Sequence, residues 1–175
     1  MVEVRRRACV DHGPQAAAAL AAMAANLGVR AGQVVAAYWP MGDELDPRPL
    51  LERLEGMGCR LALPVVAARG QPLDFRAWAM GDPLEPGLHG TTHPLASAPP
   101  VTPDLVLVPL LAFDRRCFRL GYGGGYYDRT LESLRRHAQV RAIGIGFAAQ
   151  QVEAVPTDAH DQRLDAIATE QGLIA

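Results

Sequence analysis

The amino-acid sequence predicts a single α/β domain, a three-layer α/β sandwich on a mostly parallel sheet. Three observations predict it. Short apolar runs rich in β-formers alternate with stretches of helical periodicity, the order that joins parallel strands through helical crossovers. A length of 175 residues suits one domain, residues 1–175, with a core of its own. Four glycines between Gly121 and Gly125 separate a buried-strand pattern from a helical one. That strand–loop–helix order turns backbone N–H groups and a helix dipole toward an anion.

Composition narrows the function. The chain is 49% hydrophobic and 21% charged, as expected of a globular domain. A formal charge of −2 gives no broad basic surface, so no nucleic-acid partner is expected. No apolar run is long enough for a spanning helix and no secretory h-region opens the chain, so no membrane partner is expected. Cys9, Cys59 and Cys117 lack metal-site or Cys-x-x-Cys spacing and read as reduced thiols of a cytoplasmic protein, Cys117 as inert.

In chain order, residues 1–12 form a short basic amino-terminal segment carrying Arg5, Arg6 and Arg7. It reads either as a solvated tail or as a cover for a ligand's phosphates. Gly13-Pro14 is predicted to open the first helix, because proline is tolerated at the first helical position. Leu20, Met23, Ala24 and Leu27 form its stripe, and Gly28 stops it. A strand follows over Gln33 to Trp39. Asp46 caps a second helix with Pro47 first inside and Leu50, Leu51 and Leu54 buried.

Arg60 to Val66 reads as a second parallel strand that Pro64 ends early. Pro72 to Trp78 alternates as a half-exposed strand, with Trp78 read as packing. Gly81 to Pro103 has little pattern, and so long a connection is functional or mobile. Asp104 to Phe113 is a buried strand with its tail. A helix with Tyr127, Leu131 and Leu134 inside runs to about His137. Arg141–Phe147 and Leu164–Thr169 are the last strands.

Two familiar loops are excluded at the glycines. The dinucleotide fingerprint requires glycine where Tyr126 stands. The P-loop requires a lysine, and all 17 Lys+Arg residues here are arginine. What remains is a backbone anion cradle flanked by Arg119 and Arg129, with Asp128 in the first turn of the helix. Asp43 and Glu44 lie past a strand's carboxyl end, the edge where open α/β sheets bind ligands.

Val108-Pro-Leu-Leu-Ala-Phe-Asp114 followed by Arg119-Leu-Gly-Tyr-Gly-Gly-Gly-Tyr-Tyr-Asp-Arg129 resembles the signature of the 5-formyltetrahydrofolate cyclo-ligase (methenyltetrahydrofolate synthetase) family. The resemblance implies a CoA-transferase-like α/β sandwich. It also implies ATP- and Mg²⁺-dependent cyclisation of 5-formyltetrahydrofolate to 5,10-methenyltetrahydrofolate by a cytoplasmic monomer. Trp39 and Glu44 match the family's folate contacts. Arg119, Leu120, Gly121, Tyr122, Gly123, Gly124, Gly125, Tyr126 and Tyr127 match its ATP site. Tyr122 through Tyr126 also face the substrate's formyl end; Tyr122, Tyr126 and Arg119 take the catalytic positions, and Asp128 and Asp161 the magnesium carboxylates. The chain departs from the family in lacking an amino-terminal Lys-x-x-Leu-Arg. It also has Gly90-Thr-Thr-His-Pro94 where a large apolar residue usually precedes the proline. A folate- or nucleotide-binding relative without turnover is the second reading.

Overall fold

The computed structural model describes residues 1–175. In chain order the elements are α1 (Val2–Ala22), β1 (Val34–Ala36), α2 (Arg48–Gly56), β2 (Arg60–Val65), β3 (Asp74–Trp78), β4 (Leu84–Pro86), β5 (Thr92–Pro94), β6 (Leu105–Pro109), β7 (Ala112–Phe113), β8 (Arg119–Leu120), α3 (Tyr126–His137), β9 (Arg141–Ile145), β10 (Ala166–Thr169) and β11 (Gly172–Ile174). Seven strands form one sheet in the order β11-β10-β9-β6-β1-β2-β3. Its five inner strands are parallel, and β3 and β11 are antiparallel edges. Two hairpins, β4–β5 and β7–β8, stand outside it.

Side chains alternate across the sheet, so each strand feeds two cores. Leu105 and Leu107 of β6 join Val35, Leu61 and Ile143 beneath α1 and α2. Val106 and Val108 point the other way, to Leu131 of α3. Both faces are covered, hence the near-continuous apolar runs of the inner strands. The predicted three-layer, mostly parallel architecture is the one observed.

The amino end differs from expectation. Residues 2–12 are no tail: α1 begins at Val2 and carries Pro14 in its interior. Proline has no N–H to donate to the carbonyl of residue 10, a loss that normally disfavours an interior site. Tertiary packing outweighs it, because Ala16, Ala17, Leu20 and Ala21 are buried against the sheet and α2.

Smaller differences have local causes. Pro47 sits at the N-cap of α2, while Asp46 still serves the helix start by accepting the Arg48 N–H at 2.9 Å. Pro64 does not end β2. Ala62 accepts from Ala37 on the β1 side, so residue 64 faces that side too, beyond the last β1 partner, where no donor is needed. Trp78 is buried against Trp39 in the larger core and Phe75 in the smaller, so β3 is covered on both faces. The stretch from Gly81 to Pro103 contains the β4–β5 hairpin, and Thr169 is followed by a turn into β11.

Candidate active site

The strand order reverses between β1 and β6: the chain proceeds from β1 toward β3 on one side and from β6 toward β11 on the other. Such a switch point opens a crevice at the carboxyl ends of the two strands. The segment after β1 brings Trp39 and Glu44 there, and the segment after β6 brings the glycine loop. Two stretches some eighty residues apart in sequence therefore face one another because β1 and β6 are paired.

The loop is held from beneath by the β7–β8 hairpin. Asp114, fully buried, accepts from the backbone N–H groups of Arg116, Phe118 and Val155 and from the Arg116 guanidinium. Burial pushes its pKa up, but these four partners together hold it below the usual aspartate value. Gly123 and Gly125 adopt left-handed backbone, φ 80° and 63°. A Cβ at Gly125 would stand 2.6 Å from Arg129 Nη1, the movable end of a side chain, so it is the positive φ that requires glycine at the α3 start. Arg129 donates to the Gly124 carbonyl at 2.6 Å and lies over the Tyr126 ring.

Arg119 and Asp128 form a 2.8 Å ion pair, with Arg119 also donating to the Gln162 carbonyl. Asp128 Oδ1 further accepts the N–H of Gln162, the residue after Asp161, at 3.0 Å. Asp161 Oδ2 accepts the Asp158 N–H. Each carboxylate keeps one oxygen outside these bonds. No cluster of three or more His, Cys, Asp or Glu side chains is present. Two hard oxygen donors without a protein-only cage fit a magnesium ion completed by phosphate oxygens and water.

On the β1 side, Glu44 is 9% exposed and accepts the Met41 N–H at 2.9 Å. Burial raises its pKa, opposed by that N–H and by the charge of Arg5. Trp39 packs edge-on against Trp78, with the Arg48 guanidinium over its ring. Tyr122 is 66% exposed at the loop's crest. Leu120 is exposed in β8, whereas Tyr127 is half-buried against the smaller core. Burial and then the Glu44 charge push the Tyr127 phenol up, so it stays a proton donor.

The sequence reading named Arg5 only as one of three arginines of a basic segment, and it missed two further groups. Arg5 is 4% exposed, donates to Tyr122 Oη at 2.6 Å and lies 3.8 Å from Glu44. With α1 read from Val2, Arg5, Ala8, Cys9 and Ala16 would have fallen on one face. His89, left-handed at φ 58°, places Nε2 3.2 Å from Tyr126 Oη. The Asp114 anchor depends on partners distant in sequence. Cys117 is fully buried, and burial raises its thiol pKa, as an inert residue requires. All three cysteines are free, and no helix is long and apolar enough to cross a membrane.

Fold and site together define a small parallel-sheet α/β domain that sets a glycine cradle opposite a buried carboxylate at its switch point. The 5-formyltetrahydrofolate cyclo-ligase family model matches residues 1–170. The chain is 33% identical over 177 aligned positions to the 5-formyltetrahydrofolate cyclo-ligase of Escherichia coli K12, covering 97% of this chain and 96% of that one. With the Mycolicibacterium smegmatis cyclo-ligase it shares 35% over 153 positions, 82% of this chain and 77% of the other. The NMR structure of Aquifex aeolicus 5,10-methenyltetrahydrofolate synthetase shares the fold, with a TM-score of 0.70 at 24% identity over 98% of this chain and 90% of that one. The chain belongs to the 5-formyltetrahydrofolate cyclo-ligase family.

Proposed function

We propose that this protein is an ATP- and Mg²⁺-dependent ligase that closes 5-formyltetrahydrofolate to 5,10-methenyltetrahydrofolate, releasing ADP and phosphate, and that it acts as a cytoplasmic monomer. The observation that carries the reading is the glycine cradle of residues 121–125 standing across the crevice from Glu44.

An amide-like formyl oxygen is a poor leaving group, so ring closure needs it converted to a phosphate ester. The formyl oxygen attacks the γ-phosphorus, and the bond to ADP breaks. N10 then attacks the formyl carbon and loses its proton, and phosphate departs. Phosphoryl transfer of this kind depends on positioning and charge stabilisation. The amides of Gly121 to Gly125 hold phosphate oxygens, with Arg119 and Arg129 adding positive charge. Leu120 flanks the nucleotide, and the Tyr127 backbone belongs to the same helix start. Glu44 accepts paired hydrogen bonds from the pterin amino and ring N–H groups, and Trp39 supplies an apolar wall. Tyr122 and Tyr126 offer hydroxyl donors beside the formyl end. Asp128 and Asp161 would hold magnesium, which when bound neutralises charge on the transferring group.

The test is absorbance of the methenyl product from purified protein, 5-formyltetrahydrofolate and Mg²⁺, with and without ATP. An ATP-dependent rise is expected. Tight folate binding with no rise would mark a binding protein instead.

A further inference from the structure

We propose that His89 is a positioning residue for ring closure: as a neutral imidazole it draws the Tyr126 hydroxyl proton toward Nε2, and the phenol oxygen then receives the proton that N10 must lose. The proposal rests on the ligase reading above and divides the work between its two tyrosines.

The two phenols at the crevice have opposite neighbours. Tyr122 Oη accepts from Arg5 Nη2 at 2.6 Å, and a guanidinium has no lone pair to offer, so the Tyr122 O–H stays free to donate. Tyr126 Oη has one protein partner, His89 Nε2, at 3.2 Å, and an imidazole nitrogen can accept. His89 Nδ1 bonds no protein group. On an exposed ring water can hold it as N–H, which leaves the Nε2 lone pair for the phenol. Of the five histidines, His89 alone reaches a tyrosine of the glycine loop.

Both partners are held in place. The β4–β5 turn keeps His89 in left-handed backbone, φ 58° and ψ 25°, and its imidazole makes the hairpin's one hydrogen bond to the glycine loop. The Tyr126 ring lies against Gly124, where a Cβ would stand 2.9 Å from Cδ2, and beneath the Arg129 guanidinium. On the hairpin itself, Glu85 and His93 face each other at 3.8 Å. β2 and β3, which pack against β5, bring Arg60 and Arg76, both bonded to backbone carbonyls, and Asp74. None of these charged groups bonds His89, so Tyr126 is the group on which its protonation state acts.

Ring closure needs such a pair. When N10 bonds to the formyl carbon its lone pair is spent, and its N–H proton must leave for the methenyl bridge to form. In the ligase reading Glu44 is taken by the pterin, and Asp128 is engaged by Arg119 and the Gln162 N–H. The N10 proton moves to Tyr126 Oη as the phenol proton moves to His89 Nε2. The N–H electron pair stays on N10, the C–O bond breaks, and its pair leaves with phosphate. The imidazolium, open to solvent, returns its proton to water.

The test uses the full chain and His89→Gly, which suits the left-handed backbone and opens a gap at the surface; circular dichroism verifies folding. At saturating ATP and folate, wild-type kcat should fall on acidification as the imidazole takes up a proton. His89→Gly should lower kcat about 10- to 100-fold, move both KM values less than about threefold and lose that acid limb. His89→Asn, which also suits the backbone but takes up no proton, should match it. Free imidazole should restore kcat about tenfold in His89→Gly, and should restore nothing when His89→Gly is combined with Tyr126→Phe. A folded variant with wild-type kcat overturns the proposal, as does a surviving acid limb or a loss that imidazole does not relieve. Absence of ATP-dependent turnover in the wild-type protein overturns the ligase reading as well, whereas turnover indifferent to His89 overturns this proposal alone.

Discussion

Glu44 carries its charge in a place that penalises it. Burial pushes its pKa above the ordinary glutamate range, and only the Met41 N–H and the Arg5 charge pull it back. The pterin role proposed for Glu44 needs the ionised form, so the folate KM should rise on acidification with an inflection above that range. Glu44→Gln should remove the inflection and raise the folate KM about 10- to 100-fold, with the ATP KM nearly unchanged, as steady-state titrations of each substrate would reveal. Asp114 has the opposite shift. Its folded pKa is lowered, so its stabilisation is complete above the unfolded aspartate pKa and is lost as pH falls through the folded one. Asp114→Asn should cost about 2–3 kcal/mol at neutral pH and flatten the acid limb of urea-unfolding stability. Glu44 was singled out by its place after a strand's carboxyl end and by the match of its segment to the family's folate contacts. The role of Asp114 was not, because its Val155 partner lies 41 residues away.

Elements were legible where one physical signal dominated. The apolar runs of β6 and β9 and the amphipathic stripe of α3 left little choice. The start of α1 was misread because Pro14 is a strong local signal that burial of Leu20 and its neighbours overrides. The β7–β8 hairpin, two residues a side, is too short for any period to register. The glycine loop was recognised by composition, but its need for left-handed backbone at Gly123 and Gly125 was not. Gly125→Ala meets the positive φ, and it displaces the Arg129 guanidinium end from 2.6 Å. It should cost about 1 kcal/mol or more in thermal denaturation, and it should raise the ATP KM about tenfold by tilting the amides of the α3 start.

The whole molecule is one sheet with a core on each face, and neither core is closed without the sheet they share. Leu20→Ala on the buried face of α1 and Leu131→Ala on the buried face of α3 should therefore each remove about 2–5 kcal/mol. Both variants should keep a single transition, with tryptophan fluorescence from Trp39 and Trp78 coinciding with circular dichroism. Separate midpoints would mean that the two layers unfold independently. The layered class was readable from alternation alone. Which strands are neighbours was not, because pairing β1 with β6 is a choice among sheet orders that periodicity does not encode.

The bond between Arg5 and Tyr122 joins residues 117 positions apart. On the ribosome, Arg5 is made long before its hydroxyl partner, which follows 117 residues later. α1 also rests against β10, which is later still. A nascent chain can pair α1 with α2 early, but it holds a guanidinium with nothing to face until the cradle emerges. Products of interrupted translation that stop before residue 121 should thus lack the site altogether, and activity should appear only once β10 has been made.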